Sequence, residues 1–399
     1  MQNIVSDTGH QPWPPSVIPV ADPGAELRQC YDAVTQAIES VLCSGRYILG
    51  YEVDAFEREW AEYLGARTCI GVANGTDALA LALKAVGVRP GDEVITVSHT
   101  AVATVVGIES VGAVPVFVDI DPSTRCLNPA LIESMLSPKV RAIVPVHIYG
   151  QPADMVEILA VAKRHSLLIV EDCAQAHGAE IAGRKVGTFG QAAAFSFYPT
   201  KNLGAVGDAG AVVCNDEVIA EQVRELRQYG WRERYISDMV GTNSRLDELQ
   251  AALLRVKLRQ LDQRNRKRRE IAERYLNALV STGLVGPSTI PGTLHAMHLF
   301  VVSSDKRREL SEYLTQAGIA TAWHYPQAVH QQPAYAGRIR GADKLPFTER
   351  FYERLLTIPC HPDLTDEQVS RVCERLTTWS ERPAPKPEPQ RYSTHGVTR

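Results

Sequence analysis

Short apolar runs alternate with amphipathic stretches between about residues 67 and 214, and this pattern organises the first half of the chain. The runs predict seven strands, at 68–72, 93–97, 114–118, 142–146, 167–170, 193–197 and 211–214. The stretches between them have helical spacing, and two helix starts are marked by polar side chains that can cap free amides, at Thr76-Asp77 and at Asp154. Strands that alternate with helices predict an α/β domain with a mostly parallel seven-stranded sheet flanked by helices.

The second half of the chain has a different pattern. Apolar residues keep helical spacing from 245 to 280, which predicts one long helix or a helix pair. A strand within 294–304 and helices at 304–319 and 366–381 then predict a smaller C-terminal α+β domain. We therefore expect four regions, namely an N-terminal arm at 1–25, a large α/β domain at 26–255, a small α+β domain at 256–381 and a disordered tail rich in Pro and charge at 382–399.

The charge balance argues against a nucleic-acid or membrane partner. The chain has 42 basic and 46 acidic residues, for a formal net charge of −4, so no global positive field attracts polyanions. The basic run RNRKRRE at 264–270 lies in a predicted amphipathic helix with acids at both ends, and we interpret it as a solvated face. No apolar stretch approaches the ~20 residues of a membrane helix.

Cysteine usage and the N-terminus predict a cytoplasmic location. The eight cysteines are scattered without a CxxC pair, which indicates reduced thiols and no metal site. The first 20 residues lack the charged start and continuous apolar core of a secretory signal, so we expect no export.

Candidate chemistry begins at Lys201, which follows an apolar strand and lies in a Gly-rich loop, AFSFYPTKNLGAVGDAG. A lone loop lysine is usually solvated, but the strand ends of parallel sheets are where ligand sites collect. The neighbouring strand at 167–170 delivers Glu171 and Asp172 to the same edge. Asp172 is interpreted either as a helix cap or as a partner for a protonated ring nitrogen, since a buried carboxylate needs an opposite charge to stay ionised.

The turn Ala73-Asn74-Gly75-Thr76 joins a predicted strand to a predicted helix and offers free amides to a phosphate. Such turns are common, but no GxGxxG or GxxxxGK[ST] motif competes with it. A lysine for a Schiff base, an aspartate for a pyridinium nitrogen and a helix terminus for a phosphate are together what pyridoxal 5′-phosphate requires of a protein. The three signals together predict that cofactor.

Seven segments, in order and without large gaps between about Ile18 and Leu376, support this interpretation: SGRYILGYEVDAFEREWAEYLG, GVANGTDAL, VFVDIDP, VEDCAQAHGA, FSFYPTKNLGAVGDAG, GTNSRLDELQAALLRVKL and HYPQAVHQQPAY. In these segments the chain resembles the fold-type-I, pyridoxal-phosphate-dependent sugar aminotransferases called the DegT/DnrJ/StrS group. The resemblance implies a homodimer whose active sites are shared between subunits. It also implies the roles of individual residues.

By this resemblance, Lys201 forms the Schiff base, Asp172 pairs with the pyridine nitrogen, and Gln175 binds the ring hydroxyl oxygen. The expected phosphate contacts are Gly75, Thr76, Ser196 and, from the neighbouring subunit, Asn243. Family members place an aromatic ring over the cofactor where this chain has Ala101, so His99 is the candidate for covering the ring instead. The expected acceptor-side residues are His324, Tyr325 and His330.

The loop YPTKNLGAVGDAG also resembles that of members that aminate a nucleoside-diphosphate-linked 3-keto-6-deoxyhexose, more than the HxxKxxTxGEGG form of many 4-aminating and cyclitol-aminating relatives. We therefore expect a 3-aminotransferase with L-glutamate as donor. The alternatives are a 4-keto sugar nucleotide or keto-cyclitol as acceptor, and a non-catalytic regulator on the same scaffold. A dehydratase is disfavoured because the family's dehydratases have histidine in place of the Schiff-base lysine.

Overall fold

A computed structural model describes residues 17–379 of the chain, apart from residues 281 and 289. The predicted disordered tail at 382–399 and most of the predicted N-terminal arm lie outside the described residues. Among the described residues, no helix combines the length and the apolar character that a bilayer crossing requires.

The centre of the molecule is a seven-stranded sheet with the order β1-β9-β8-β5-β4-β2-β3. Its strands are β1 (Thr68–Val72), β2 (Glu93–Val97), β3 (Val114–Val118), β4 (Val140–Ile143), β5 (Leu168–Asp172), β8 (Ala192–Ser196) and β9 (Gly210–Cys214). β9 runs antiparallel to both of its neighbours, and the remaining pairings are parallel. The predicted α/β fold with a mostly parallel sheet is confirmed.

The other strands form small sheets at the periphery. They are β6 (Glu180–Ile181), β7 (Arg184–Lys185), β10 (Trp231–Glu233), β11 (Ile236–Ser237), β12 (Thr293–Leu294), β13 (Phe300–Ser303) and β14 (Leu355–Ile358). The antiparallel pair β13–β14 is the sheet of the C-terminal region. It packs with the second half of a long helix, with Ile18 and with the last helix around one apolar core, so the two ends of the described chain meet there.

Helices cover both faces of the large sheet and build the C-terminal region. They are α1 (Pro23–Gln29), α2 (Tyr31–Ser44), α3 (Tyr51–Leu64), α4 (Gly75–Ala85), α5 (Val102–Ser110), α6 (Met155–His165), α7 (Glu217–Leu226), α8 (Glu248–Leu258), α9 (Leu261–Leu279), α10 (Arg307–Gln316), α11 (Pro346–Arg354) and α12 (Asp366–Trp379). The periodic stretch from 245 to 280 is thus a helix pair, α8 and α9. The domain boundary predicted at 255/256 falls inside α8, and the four-region division stays a prediction.

Two local differences from the sequence-based expectations have simple causes. β4 ends at Ile143 rather than at residue 146, because Pro145 has no amide hydrogen to continue the ladder, and pairing returns only as a single bridge between Val146 and Asp172. α4 is capped by Asn74, whose Oδ1 accepts from the Asp77 amide at 2.9 Å, and not by Thr76. The predicted cap at Asp154 is present, with Oδ1 accepting from the Glu157 amide at 3.2 Å.

Candidate active site

A pocket of about 520 Å³ lies at the edge of the sheet where β5 and β8 end and α4 begins. Strands that run parallel present their carboxyl ends at one edge, and ligands bind there. The lining residues come from six segments and are Asn74, Gly75, Thr76, Asp77, Leu79, Thr100, Ala101, Ala103, Thr104, Val146, Asp172, Ala174, Gln175, Ser196, Tyr198, Lys201 and Asp208. Six of the eleven predicted site residues are therefore brought together in one pocket, namely Gly75, Thr76, Asp172, Gln175, Ser196 and Lys201.

Lys201 enters the pocket from the loop that follows β8. The loop turns back at once, because the Lys201 amide donates to the carbonyl of Tyr198 at 2.8 Å. Burial lowers the pKa of the Lys201 amine to about 8, although the carboxylate of Asp172 acts in the opposite direction. A lysine with this pKa is partly neutral near physiological pH, and a neutral amine is the nucleophilic form.

Asp172 is the last residue of β5 and is held rigidly at the pocket wall. Its Oδ2 accepts from the Thr104 hydroxyl at 2.7 Å and its Oδ1 from the Ala174 amide at 3.1 Å. The Thr104 hydroxyl hydrogen is used on Asp172, so Thr100, whose Oγ1 is 2.6 Å from that of Thr104, must be the donor between the two threonines. Hydrogen bonds to a carboxylate favour its charged form.

The opposite end of the pocket is a cradle between the start of α4 and the end of β8. Gly75 and Thr76 are the first two residues of α4, so their amides have no acceptor within the helix. A Cβ atom at Gly75 would lie only 2.6 Å from Cβ of Ser196. Glycine therefore lets the helix terminus approach the Ser196 hydroxyl closely, and the two amides and the hydroxyl offer donors to an anion.

Gln175 has a fixed orientation at the pocket wall. Its Oε1 accepts from the Tyr149 amide at 2.7 Å, and its Nε2 donates to the Tyr325 hydroxyl at 3.0 Å. The second Nε2 hydrogen remains for an oxygen acceptor in the pocket. This is the arrangement that the predicted contact with a ring hydroxyl oxygen requires.

The segment at 324–330 lies beside the pocket, and its residues contribute to the site to different degrees. Tyr325 reaches Gln175, and burial, with the Asp172 charge, raises its pKa to about 12, so its phenol is protonated. Tyr149 donates its hydroxyl hydrogen to the carbonyl of His324. Burial and the Lys201 charge lower the pKa of His324 to about 4, so the imidazole is neutral.

His330 is not brought to the pocket, which corrects its prediction as an acceptor-side residue. It is buried, its Nδ1 lies 2.7 Å from the Ser98 hydroxyl, and its Nε2 lies 3.3 Å from a carboxylate oxygen of Glu349. Its backbone amide also donates to Ser98 at 3.0 Å. Both ring nitrogens are used within the protein, so His330 holds its own segment against the end of β2.

His99 is likewise outside the pocket, which corrects its prediction as the residue over the cofactor ring. Its imidazole is fully buried among three aromatic rings, with centroids 5.4 Å from Tyr149, 5.0 Å from Phe351 and 5.2 Å from Tyr352. Burial lowers the pKa of His99 to about 3. The chain bends at residues 98–100, directly after β2 ends at Val97, so this ring packs into the core while Ala101 lines the pocket.

Asn243 is exposed and does not line the pocket of its own chain. The adjacent Ser244 is buried and braces the start of α4, accepting from the Ala73 amide at 3.1 Å and donating to Asp77 at 2.6 Å. The predicted contact of Asn243 with a neighbouring subunit's phosphate site stays a prediction.

Glu171, the neighbour of Asp172, faces the other side of the sheet and braces the structure. Its two oxygens accept from the amides of Gly187, Phe189 and Gly190 at 2.7–2.8 Å, and Oε2 lies 3.1 Å from Nε2 of His147. The His147 Nδ1 accepts from a backbone amide at 3.0 Å, so Nε2 carries the hydrogen. The side chains of His147, Glu171 and Cys173 lie close enough together to hold a metal ion. The hydrogen bonds just described, however, already use the imidazole of His147 and the carboxylate of Glu171.

Sequence reasoning missed two residues that the structure places at the site. Thr104 lies three residues after Ala101, and no local pattern marks a threonine as the partner of a distant aspartate. Asn202 follows Lys201 directly and is buried with three hydrogen bonds to other segments. The available signal was an amide side chain next to the candidate lysine in a Gly-rich loop.

Known proteins share this fold and these segments. The model of the DegT/DnrJ/EryC1/StrS aminotransferase family matches residues 29–377. The dTDP-3-amino-3,4,6-trideoxy-alpha-D-glucose transaminase of Streptomyces venezuelae is 47% identical over 358 residues, which are 90% of this chain and 94% of that protein. The erythromycin biosynthesis sensory transduction protein EryC1 of Saccharopolyspora erythraea is 46% identical over 360 residues, 90% of this chain and 98% of that protein.

Among solved structures, the crystal structure of S. venezuelae DesV in complex with a ketimine intermediate superposes with a TM-score of 0.90 at 45% identity. The superposed region covers 92% of this chain and 99% of the DesV chain. The fold and the resemblance seen in the sequence are both confirmed. The chain belongs to the DegT/DnrJ/EryC1/StrS aminotransferase family.

Proposed function

We propose that this aminotransferase uses pyridoxal 5′-phosphate to transfer the amino group of L-glutamate to C-3 of a nucleoside-diphosphate-linked 3-keto-6-deoxyhexose. The product is a 3-amino sugar nucleotide for glycan or natural-product biosynthesis. The observation that carries the proposal is the convergence of Lys201, Asp172 and the Gly75 cradle on one pocket. The name of the Streptomyces venezuelae relative, a dTDP-3-amino sugar transaminase, supports the position of the new amine and the nucleotide-linked acceptor.

The residues of the pocket fit the cofactor. The cradle between Gly75 and Ser196 is closed to a Cβ atom and offers donors for a phosphate. Asp172 would hold the pyridine nitrogen, Gln175 would donate to the ring hydroxyl oxygen, and Lys201 would bind the cofactor covalently. When bound, the cofactor serves as an electron sink that acidifies the Cα–H of the amino donor.

The side chains of this chain then supply orientation and proton transfer. Asp172, held by Thr104, would keep the pyridine nitrogen of the cofactor protonated, because a buried carboxylate stabilises a nearby cation. Lys201 Nζ, as a neutral amine, accepts the proton from Cα of the donor, and general-base help of this kind contributes ~10²–10⁴-fold. The protonated phenol of Tyr325 keeps Gln175 in place.

The alternative function, a non-catalytic regulator on the same scaffold, is supported only by the names of relatives such as the sensory transduction protein EryC1. The basic run at 264–270 exposes Arg266 and Lys267, but two of its arginines are used within the protein. Arg268 is buried, with its guanidinium on the carbonyl of Cys360 at 2.8 Å. Arg264 forms an ion pair with Asp363 at 2.6 Å and another with Glu26 at 3.1 Å. A 4-keto sugar nucleotide or a keto-cyclitol remains the second candidate acceptor, and the cytoplasmic location remains a prediction.

We also propose that the enzyme is a homodimer in which each active site takes Lys201 from one subunit and Asn243 from the other. Exposure of Asn243 is compatible with a partner, and the buried Ser244 beside it fixes its segment near α4. The pocket lining of one chain includes a single basic residue, Lys201, against a substrate with two phosphates. We therefore expect part of the surface that binds these phosphates to lie outside this lining.

A spectroscopic experiment followed by product analysis tests the activity. The visible spectrum of the purified enzyme should change when L-glutamate is added, and borohydride reduction followed by peptide mapping should place the label on Lys201. Lys201→Ala should abolish turnover, whereas Lys163→Ala, at an exposed position of α6, should not.

Mass analysis should then show a 3-amino product from a dTDP-linked 3-keto-6-deoxyhexose. Free sugars should be much poorer acceptors, because remote binding of the diphosphate contributes to catalysis. A label on another residue would contradict the assignment of Lys201. A preference for a keto-cyclitol or a 4-keto sugar nucleotide would move the function to the second candidate.

A further inference from the structure

The loop that carries Lys201 is anchored by a buried side chain next to it. We propose that Asn202 is a positioning residue that ties this loop to α9 and to the segment before β13, and that it thereby holds the Lys201 amine half-buried in the pocket, where a larger share of it is in the reactive neutral form. The inference rests on the proposed function in one respect, the use of Lys201 as the reactive amine.

Asn202 uses both hydrogens of its amide on neighbouring segments. It is 4% exposed. Its Nδ2 donates to Oδ1 of Asn265 in α9 at 2.8 Å and to the carbonyl of Ala296 at 2.8 Å. Its Oδ1 is therefore the acceptor of the 3.1 Å contact with Nδ1 of His298, and this ring nitrogen carries a hydrogen. One amide thus connects three parts of the chain.

The connection continues through Asn265. Its Nδ2 donates to the carbonyl of His177, in the loop after β5, at 2.8 Å. His177, His298 and His324 surround the Lys201 side chain closely enough for its charge to lower the pKa of each imidazole, after burial as the larger cause. The charged group that acts on the pKa of Lys201 is the Asp172 carboxylate, which raises it, whereas the three imidazoles are neutral neighbours.

A second buried contact anchors the loop two residues further on, at Gly204. Lys257 of α8 donates to the carbonyl of Gly204 and forms an ion pair with Glu26 at 2.8 Å. The residues that follow Lys201 are therefore fixed at two points, and on the other side the Lys201 amide donates to the carbonyl of Tyr198 at 2.8 Å. We expect the loss of an anchor to let the Lys201 side chain move toward solvent. Because burial dominates the low pKa of the lysine, release should raise that pKa.

The test measures Lys201 itself, in full-length protein from which any bound cofactor has been removed. The rate of its acylation by acetic anhydride is followed against pH by peptide mass spectrometry, with circular dichroism as the check of folding. Wild-type Lys201 should be half-reactive near pH 8. In Asn202→Ala the midpoint should move upward by at least about one pH unit, toward the ordinary lysine value. In the complete reaction, kcat should fall by about tenfold with a smaller change in KM, because the amine is misplaced.

Three further variants make the result decisive. Asn265→Ala removes one of the three partners of Asn202 and should shift the midpoint in the same direction, by no more than Asn202→Ala does. In the double variant the two shifts should not add in full, because the two residues share one hydrogen bond. Thr348→Val is the control, since it removes a buried hydrogen bond to Asp119 remote from the pocket and should leave the midpoint unchanged.

An unchanged midpoint in folded Asn202→Ala, or an equal shift in Thr348→Val, overturns the proposal. If Asn202→Ala does not fold, Asn265→Ala decides by the same criterion. The acylation measurement needs neither cofactor nor sugar. Failure of the proposed transamination would therefore leave this result unaffected, and the two failures are distinguishable.

Discussion

The carboxyl edge of the seven-stranded sheet and the segment at 324–330 both border the pocket, but they use their residues differently. At the sheet edge, Asp172 and Lys201 lie in the pocket as the sequence predicts. In the segment, Tyr325 reaches the pocket wall through Gln175, whereas His330 is turned toward Ser98 and Glu349.

The difference follows from what fixes each side chain. A strand alternates its side chains between two faces, so Glu171 and Asp172 must point apart once β5 is placed. The segment at 324–330 has no such periodicity, and its side chains are fixed by contacts with residues distant in sequence. We therefore expect substitutions at the sheet edge to affect chemistry, and substitutions in the segment to divide between activity and stability.

Asp172→Asn should have the largest effect. The amide cannot hold the cofactor nitrogen protonated, so kcat/KM should fall about 10²-fold, which corresponds to ~2.7 kcal/mol. The removal of the carboxylate should also lower the pH at which Lys201 is half-protonated, because that carboxylate supports the ammonium form. Steady-state kinetics and the acylation titration measure the two effects. Asp154→Asn, at the cap of α6, is the matched control. A loss below about tenfold would leave Asp172 only its structural hydrogen bonds to Thr104 and Ala174.

A mixing experiment with Asn243 and Lys201 extends the comparison to a second subunit. Asn243→Asp should lower activity by at least about tenfold, because a negative charge near ~4 Å from a phosphate is costly in a partly buried site. Lys201→Ala should be inactive. If the sites are shared, a mixed dimer of the two variants has one intact site, and activity returns. Confirmed mixed dimers without recovery would show that Asn243 does not act across an interface.

Thr104→Val should lower kcat by about three- to tenfold, since Asp172 loses one of its two hydrogen bonds within the protein. The isosteric change preserves the packing of α5, so the melting temperature should change little. The split between kcat and KM separates this from a structural effect, because a carboxylate that is held less firmly changes the chemical step rather than the binding of substrate. An unchanged kcat would show that Ala174 alone is sufficient to hold the carboxylate.

Tyr325→Phe and His330→Gln give the smallest and most informative contrast. Tyr325→Phe should lower kcat/KM by about threefold, because Gln175 loses the acceptor that orients it. His330→Gln should leave kcat/KM within about twofold and instead lower the melting temperature. Kinetics and thermal unfolding of both variants check this, and the reverse pattern would return His330 to the acceptor side.

The sheet was predictable because its signal is local. Each apolar run marks a strand, and strand ends place Asp172 and Lys201 without further information. The end of β4 was missed because Pro145 acts on the hydrogen-bond ladder rather than on hydrophobicity. His99 was misplaced because its setting depends on Phe351 and Tyr352, about 250 positions away in the chain, and no local pattern reports such a contact.

The position of β9 between β1 and β8 sets an order for assembly during synthesis. Within the described sheet, β1 pairs with β9 alone, so residues 68–72 leave the ribosome with no strand neighbour until residues 210–214 follow. At the usual rate of translation this interval is on the order of ten seconds. The strands β2, β3, β4, β5 and β8 can pair earlier, whereas β1, which leads into the start of α4, joins the sheet only when β9 docks. We therefore expect the anion cradle between α4 and β8 to be fixed in its final position late in synthesis.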